Sequence, residues 1–120
     1  CSELRPLAVE AIRTAGATAH DRGTMVVIQG PRFSTRAESK WYAGQGWEVI
    51  GMTQAPEAFL ARELEICFVN IAVITDYDVG VAGSIEPVTH EEVQEAAELA
   101  KTKSKNLINA LLPRLVVKPT

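Results

Sequence analysis

The sequence predicts an α/β fold, in which helices lie on the faces of a β-sheet. Segments with apolar residues at helical spacing alternate with short runs of β-branched and apolar residues, and glycine or proline stands at most of their boundaries. The chain has no internal repeat and no low-complexity linker. Because 47% of its 120 residues are apolar, it can bury a core, and we expect residues 1–120 to belong to one domain.

The predicted elements alternate between helix and strand along the chain. Helices are indicated by apolar residues at i, i+3, i+4 and i+7, and strands by β-branched and apolar runs. In chain order they are a helix over residues 3–15, a strand over 24–29, a helix from 34 or 35 to 43, a strand over 48–52, a helix over 56–64, a strand over 66–75 and a helix over 89–113. A loop over 79–88 and a frayed tail over 114–120 complete the prediction.

Residues that begin or end helices set the boundaries of these elements. Gly16 stands just past the last turn of the first helix, where a glycine commonly ends one. Ser34 or Thr35 can cap the second helix, and Pro56 suits the first position of the third because its missing N–H costs nothing there. Thr89 opens a sequence of the capping-box type, so the last helix begins there.

Composition and charge exclude several classes of partner. With 22% charged residues, a net charge of −3 and no basic stripe, the chain offers no surface for nucleic acid. It has no apolar run that could span a membrane and no signal peptide at its start, so we expect a cytoplasmic protein. His20 and His90 lack metal-ligand spacing, so we expect no metal site. Two cysteines are too few for a disulfide framework, and Cys67 is expected to be a small buried hydrophobe within its strand.

The strongest candidate site is the segment Thr75-Asp76-Tyr77-Asp78, where a long apolar run ends. Ligands of open α/β sheets bind at the carboxyl ends of the strands. Two carboxylates placed there, two positions apart, are therefore expected to contact a ligand rather than to form only a turn or a cap.

Two further segments join a predicted strand end to a helix start. In Gly30–Ser34, Phe33 can either pack in the core below a tight turn or present its ring to a ligand. In Gly51–Glu57, Thr53 can either cap the next helix or donate to a phosphate at the helix N-terminus. Neither segment contains a glycine-rich phosphate motif.

Taken together, the three segments resemble one family. Gly30–Ser39 (GPRFSTRAES), Gly51–Glu57 (GMTQAPE) and Thr75–Asp78 (TDYD) occur in the order and at the spacing of the S-methyl-5′-thioadenosine phosphorylases, the adenine-selective branch of the trimeric purine nucleoside phosphorylases. The resemblance extends from residue 1 to about residue 113. It implies part of a mixed β-sheet flanked by helices, with the N-terminal half of the domain and its phosphate ligands absent from this chain.

The resemblance also implies the reaction and the site. Phosphate would attack C1′ of 5′-methylthioadenosine and release adenine and 5-methylthioribose 1-phosphate, as in purine and methionine salvage, with inorganic phosphate as co-substrate and no metal or organic cofactor. The residues expected to bind the nucleoside are Phe33, Ser34, Met52, Thr75, Asp76, Asp78 and Val93. Phe33 would lie against sugar and base, and Met52 would hold the ribose hydroxyls, largely through its backbone. Thr53 would bind phosphate, and Asp76 would be the catalytic acid.

The chemistry of adenine supports a carboxylate pair independently. Its N7 accepts a hydrogen bond and its N6 amino group donates one, so a protonated carboxyl and an ionised carboxylate can each find a partner. A protonated Asp76 would neutralise the departing base by donating to N7. Related enzymes for 6-oxopurines resemble this chain but carry asparagine at the position of Asp76.

Three alternatives remain open at this stage. The chain can belong to a nucleoside-binding module without catalysis, or to a purine nucleoside phosphorylase with another base preference. The 5′ preference can also differ, since either His90 or Val93 can line that pocket. The expected partners are a purine nucleoside and phosphate, together with a homotrimer or the missing N-terminal half.

Overall fold

The computed structural model describes residues 1–78 and 89–115. The predicted order of helices and strands is confirmed with one exception, the strand over 66–75. The elements are α1 (Leu4–Thr14), β1 (Met25–Val27), α2 (Arg36–Gly44), β2 (Val49–Gly51), α3 (Glu57–Glu63) and α4 (His90–Leu111), followed by a 3₁₀ turn (Leu112–Arg114). The predicted loop over 79–88 and most of the predicted tail lie outside the described residues.

Local signals place the helix ends. Gly16 adopts a φ of +76° just beyond α1, and its N–H donates to the carbonyl of Arg13 at 3.0 Å. Thr35, rather than Ser34, caps α2. Thr89 caps α4 in the expected box. α3 begins at Glu57, one residue later than predicted, so that Pro56 is its N-cap, and Pro56 makes no side-chain cap bond.

β1 and β2 form a parallel pair. Met25 pairs with Val49 and Val27 pairs with Gly51. A parallel pair needs a crossover connection, and α2 with its flanking loops provides it. Both strands therefore end at the same edge of the sheet, which is where the functional segments begin.

The buried apolar residues of the described chain lie on α1 and just after β1. Ala8 and Ala11 of α1 are 2% and 0% exposed, Ile28 is 8% exposed, and α1 packs against α4. Arg114, at the end of the 3₁₀ turn, forms an ion pair with Glu10 at 3.5 Å and donates to the carbonyl of Ala110. Arg114, at the approximate boundary of the predicted frayed tail, is half-buried and tied to both helices.

The predicted buried strand over 66–75 is not formed. The described segment is irregular, and Val73 and Ile74 are 49% and 59% exposed. It still runs beside the sheet, since the Asn70 amide donates to Gln54 Oε1 at 3.0 Å and contacts Met25 Sδ at 3.3 Å. The apolar run has the composition of a central strand, but such a strand needs backbone partners on its edges. The described sheet contains β1 and β2 alone.

Cys67 differs from its prediction as well. It is exposed and forms a disulfide with Cys1, 66 positions earlier, with a Cα–Cα distance of 5.2 Å. Counting cysteines excluded a framework of several bridges but said nothing about one bridge, because the path of the chain decides which sulfur atoms meet.

Over the described residues, none of the helices combines the length and the apolar character needed to cross a membrane.

Candidate active site

The candidate site begins where β1 and β2 end side by side. Val27 pairs with Gly51, and the N–H of Ile28 donates to the Gly51 carbonyl at 3.0 Å. A Cβ placed on Gly30 would stand 2.8 Å from Met52 Sδ, so the turn after β1 lies directly against this side chain. The first two motif segments are therefore in contact at the carboxyl edge of the sheet.

A hydrogen-bonded clamp shapes the turn between β1 and α2. The Arg32 guanidinium donates to both carboxylate oxygens of Glu38, at 2.9 and 2.8 Å, and to the carbonyl of Phe33 at 3.0 Å. The same carboxylate accepts from the Thr35 N–H at 2.7 Å and from its hydroxyl at 2.9 Å. The bonds from Arg32, and then those from Thr35, lower the pKa of Glu38 from 4.5 to about 2. The clamp thus holds the backbone that carries Phe33.

Two serine hydroxyls bind Asp78 beside the start of α2. Ser34 Oγ and Ser39 Oγ each lie 2.5 Å from Asp78 Oδ2 and 3.2 Å from each other. Ser34 is 9% exposed and Ser39 is 1% exposed, while Asp78 is half-buried. These bonds join residues 44 and 39 positions apart, so the third motif segment meets the first.

The two aspartates of the third segment have different surroundings. Asp76 is exposed, and its Oδ1 accepts a hydrogen bond from the Thr75 hydroxyl at 2.5 Å. Asp78 is half-buried and bound by serine hydroxyls. One carboxylate is thus held in place and the other is accessible from solvent. Their separate roles toward a ligand stay a prediction.

Phe33 and Thr53 lie at the surface of the same edge. Phe33 is 42% exposed, so the interpretation in which its ring packs in the core is wrong. Thr53 is exposed and does not cap α3, since Pro56 is the N-cap of that helix. Both side chains are accessible to a ligand. A phosphate-binding role for Thr53 no longer has support from the helix, because α3 is too short, at 7 residues, to carry much of a dipole.

The residues predicted for the 5′ pocket lie on α4. Val93 is half-buried, and the His90 Nε2 and Gln94 Nε2 atoms are 3.0 Å apart. α4 packs against α1, and the loop that leads from Asp78 to α4 is outside the described residues. The contribution of Val93 or His90 to the site therefore stays a prediction.

Sequence reasoning missed the supporting residues of this site. Ser39 was quoted within a motif but received no role, and Arg32 was not linked to Glu38. Ser39 lies four residues after Thr35, but Thr35 is exposed and precedes α2 as its N-cap, so this spacing carries no signal that Ser39 is buried.

The side-chain groups gathered at the edge suit a polar organic ligand. They are carboxylates, hydroxyls and an accessible aromatic ring, which can read hydrogen-bond patterns and stack on a planar base. No three histidine, cysteine, aspartate or glutamate side chains within residues 1–78 and 89–115 group closely enough to hold a metal ion.

Comparison with known proteins agrees with this architecture. The chain is 46% identical over 115 residues to the S-methyl-5′-thioadenosine phosphorylase of Thermofilum pendens, covering 96% of this chain and 43% of that protein. It is 53% identical over 93 residues to the purine nucleoside phosphorylase of Streptomyces coelicolor, covering 78% of this chain and 33% of the relative. The 6-oxopurine nucleoside phosphorylase of Pyrococcus furiosus is 42% identical over 119 residues, covering 99% of this chain and 43% of the relative. The chain thus spans less than half the length of these relatives.

Solved structures show the same fold. The methylthioadenosine phosphorylase of Schistosoma mansoni in complex with adenine superposes with a TM-score of 0.86 at 26% identity, covering 99% of this chain and 47% of that chain. The described elements are therefore part of a phosphorylase fold. The family pattern of the Phosphorylase superfamily matches residues 1–113, and the chain belongs to this superfamily.

Proposed function

We propose that the complete enzyme to which this chain belongs catalyses phosphorolysis of 5′-methylthioadenosine to adenine and 5-methylthioribose 1-phosphate. The chain would supply the purine and ribose contacts and part of the phosphate site. It would act in the cytoplasm, without a metal or organic cofactor, in purine and methionine salvage. Relatives that carry the name of this activity support the proposal.

The observation that carries the proposal is the Asp76–Asp78 pair at the carboxyl edge of the sheet. Asp78 is held by Ser34 and Ser39 through Oδ2, so its carboxylate is presented in a fixed orientation to a ligand at this edge. An oriented carboxylate suits the N6 amino donor of adenine and repels the O6 acceptor of a 6-oxopurine. Asp76, accessible two positions earlier, would donate to N7.

The reaction follows from these roles. A phosphate oxygen forms a bond to C1′ while the C1′–N9 bond breaks, and its electron pair moves into the purine. Proton transfer from the Asp76 carboxyl to N7 neutralises the departing base and leaves a carboxylate, which must regain a proton before the next turnover. Phe33 would cover sugar and base, Met52 would hold the ribose hydroxyls and Thr53 would contact phosphate. Further phosphate contacts would come from elsewhere in the complete protein.

A homotrimer, or association with the remainder of the domain, is proposed for the assembled enzyme. Large apolar side chains that are more than half exposed in the described chain need a cover. They are Trp41, Phe59, Leu60, Leu64, Ile66, Ile74, Tyr77, Leu99, Ile108 and Leu112.

A second candidate is a purine nucleoside phosphorylase with another base or 5′ preference. Relatives named for 6-oxopurine and purine nucleosides favour it. In that enzyme His90 would contact the 5′-hydroxyl group of the nucleoside. With methylthioadenosine, Val93 would contact the methylthio group instead. A third candidate, a nucleoside-binding module without catalysis, would bind adenine nucleosides without releasing the base.

The test is phosphate-dependent base release by the purified complete enzyme from methylthioadenosine, adenosine and inosine. We expect the highest kcat/KM for methylthioadenosine. Faster release from inosine would favour the 6-oxopurine enzyme, and binding without release would favour the module.

Asp76→Asn tests the base-reading role directly. The kcat/KM for methylthioadenosine should fall by about 10²-fold, because an amide cannot transfer a proton to N7. The kcat/KM for inosine should fall much less, because an amide can donate a hydrogen bond to N7 and to O6 alike. Glu95→Gln, which removes an exposed carboxylate of α4, is the matched control. An unchanged ratio between the two nucleosides would remove Asp76 from base recognition.

A further inference from the structure

Ser39 is the most deeply buried polar side chain of the site, and the proposed reaction gives it no role. Its side chain is 1% exposed. Its hydroxyl carries one proton and lies near three acceptors: Asp78 Oδ2 at 2.5 Å, the Thr35 carbonyl at 2.9 Å and Ser34 Oγ at 3.2 Å. The choice among these acceptors decides what Ser39 does.

A carboxylate is the strongest of the three acceptors, because hydrogen bonds to a charged group are shorter and stronger than those between neutral groups. The Thr35 carbonyl does not need the hydroxyl, since it already accepts from the Ser39 N–H at 2.9 Å. Ser39 therefore donates to Asp78 Oδ2, and Ser34 donates to the same atom. Asp78 Oδ1 takes no part in these two bonds.

Ser39 stands on a rigid support. α2 begins with a capping box in which Thr35 and Glu38 bond to each other's backbone N–H groups, and Arg32 ties Glu38 to the preceding turn. Asp78, in contrast, belongs to a segment without regular secondary structure. The orientation of the Asp78 carboxylate is thus imposed by α2 through Ser39 and, from the turn, by Ser34.

We infer that Ser39 is a positioning residue that determines base specificity through Asp78. With Oδ2 held by two hydroxyls, the other oxygen is the atom that accepts from the exocyclic amino group of a 6-aminopurine. Ser39 is too deeply buried to contact the base itself. The inference rests on the proposed function, because it assumes that Asp78 reads the purine.

The test is a double-mutant cycle on the complete enzyme, with kcat/KM measured for methylthioadenosine and inosine. Ser39→Ala should lower kcat/KM for methylthioadenosine by about tenfold or more, since one charge-assisted hydrogen bond is lost. The kcat/KM for inosine and the KM for phosphate should change much less. In an Asp78→Asn background the same substitution should change kcat/KM by no more than about twofold.

Two further variants separate positioning from a general effect on folding. Ser39→Cys is close to isosteric and retains a weak donor, so its kcat/KM for methylthioadenosine should lie between the values of wild type and Ser39→Ala. Ser104→Ala removes a half-buried serine hydroxyl on α4, remote in sequence from the motif segments, and should leave both nucleosides unaffected.

Each outcome bears on the inference. Equal losses for both nucleosides, or a Ser39→Ala effect of the same size with and without Asp78, would overturn the role of Ser39 while leaving the proposed function in place. Release of no base from any purine nucleoside by the wild-type enzyme would overturn the proposed function, and this inference with it.

Discussion

Gly30→Ala tests whether the contact between the first two motif segments matters for the ribose site. The new Cβ would stand 2.8 Å from Met52 Sδ, while an ordinary contact lies at about 3.5–4.0 Å, so the sulfur must move by roughly 1 Å. Met52 Cγ and Cβ would be 3.7 and 3.9 Å away and can stay in place. Gly30 does not adopt a positive φ, so alanine introduces no backbone strain of that kind.

This geometry predicts a large effect on activity and a small one on stability. Since only the flexible end of Met52 must move, the free energy of unfolding should fall by about 1 kcal/mol or less, at the low end for overpacking. The Met52 backbone stays in place, so its proposed bonds to the ribose hydroxyls should remain. The displaced sulfur would instead crowd the bound sugar, and a misplacement of about 1 Å beside a reacting group can lower the rate by up to about 10²-fold. We expect a loss of about tenfold or more in kcat/KM for the nucleoside, with the KM for phosphate changed much less.

The assay compares Gly30→Ala with Gly44→Ala in the complete enzyme. Gly44 is the last residue of α2, and a Cβ there would meet nothing within 4 Å, so this control changes glycine to alanine without a clash. In a Met52→Ala background, Gly30→Ala should cost no further stability, because the atom that clashes with the new Cβ is absent. Equal nucleoside kinetics for the two glycine variants would refute a contact between the Met52 side chain and the sugar.

Three further predictions follow from other parts of the chain. Thr53→Ala should raise the KM for phosphate more than the KM for nucleoside, because the lost hydrogen bond to a charged group is worth about 1.5–3 kcal/mol of phosphate binding. A rise in the KM for nucleoside alone would assign Thr53 to the sugar. The pKa of Glu38 is lowered from 4.5 to about 2, so the stability contributed by its carboxylate should be complete above about pH 4.5 and lost as the pH falls toward 2. The free energies of unfolding of wild type and Glu38→Gln, measured with denaturant, should therefore converge over that range. The difference should shrink in high salt because both side chains of the Arg32 pair are partly exposed. Residues 1–120 expressed alone should associate and release no adenine; an active monomer by light scattering would contradict the trimer and the need for further phosphate contacts.

The sequence alone determined the features that depend on neighbouring residues. The capping box at Thr89 and the glycine stop at Gly16 appear as expected, and the cap of α2 is Thr35, one of the two predicted candidates, because each signal is completed within about four residues of chain. The order of helices and of the first two strands follows from the same local patterns. The family resemblance was likewise readable from three short segments, whose spacing is a property of the sequence.

Only the tertiary structure decided which distant groups meet. The Cys1–Cys67 bridge and the bonds from Ser34 and Ser39 to Asp78 join residues 39 to 66 positions apart, and no local pattern encodes such pairings. The predicted strand over 66–75 failed for the same physical reason. An apolar run becomes a strand only when other strands offer backbone partners on its edges, and the sequence of the run itself does not contain that information.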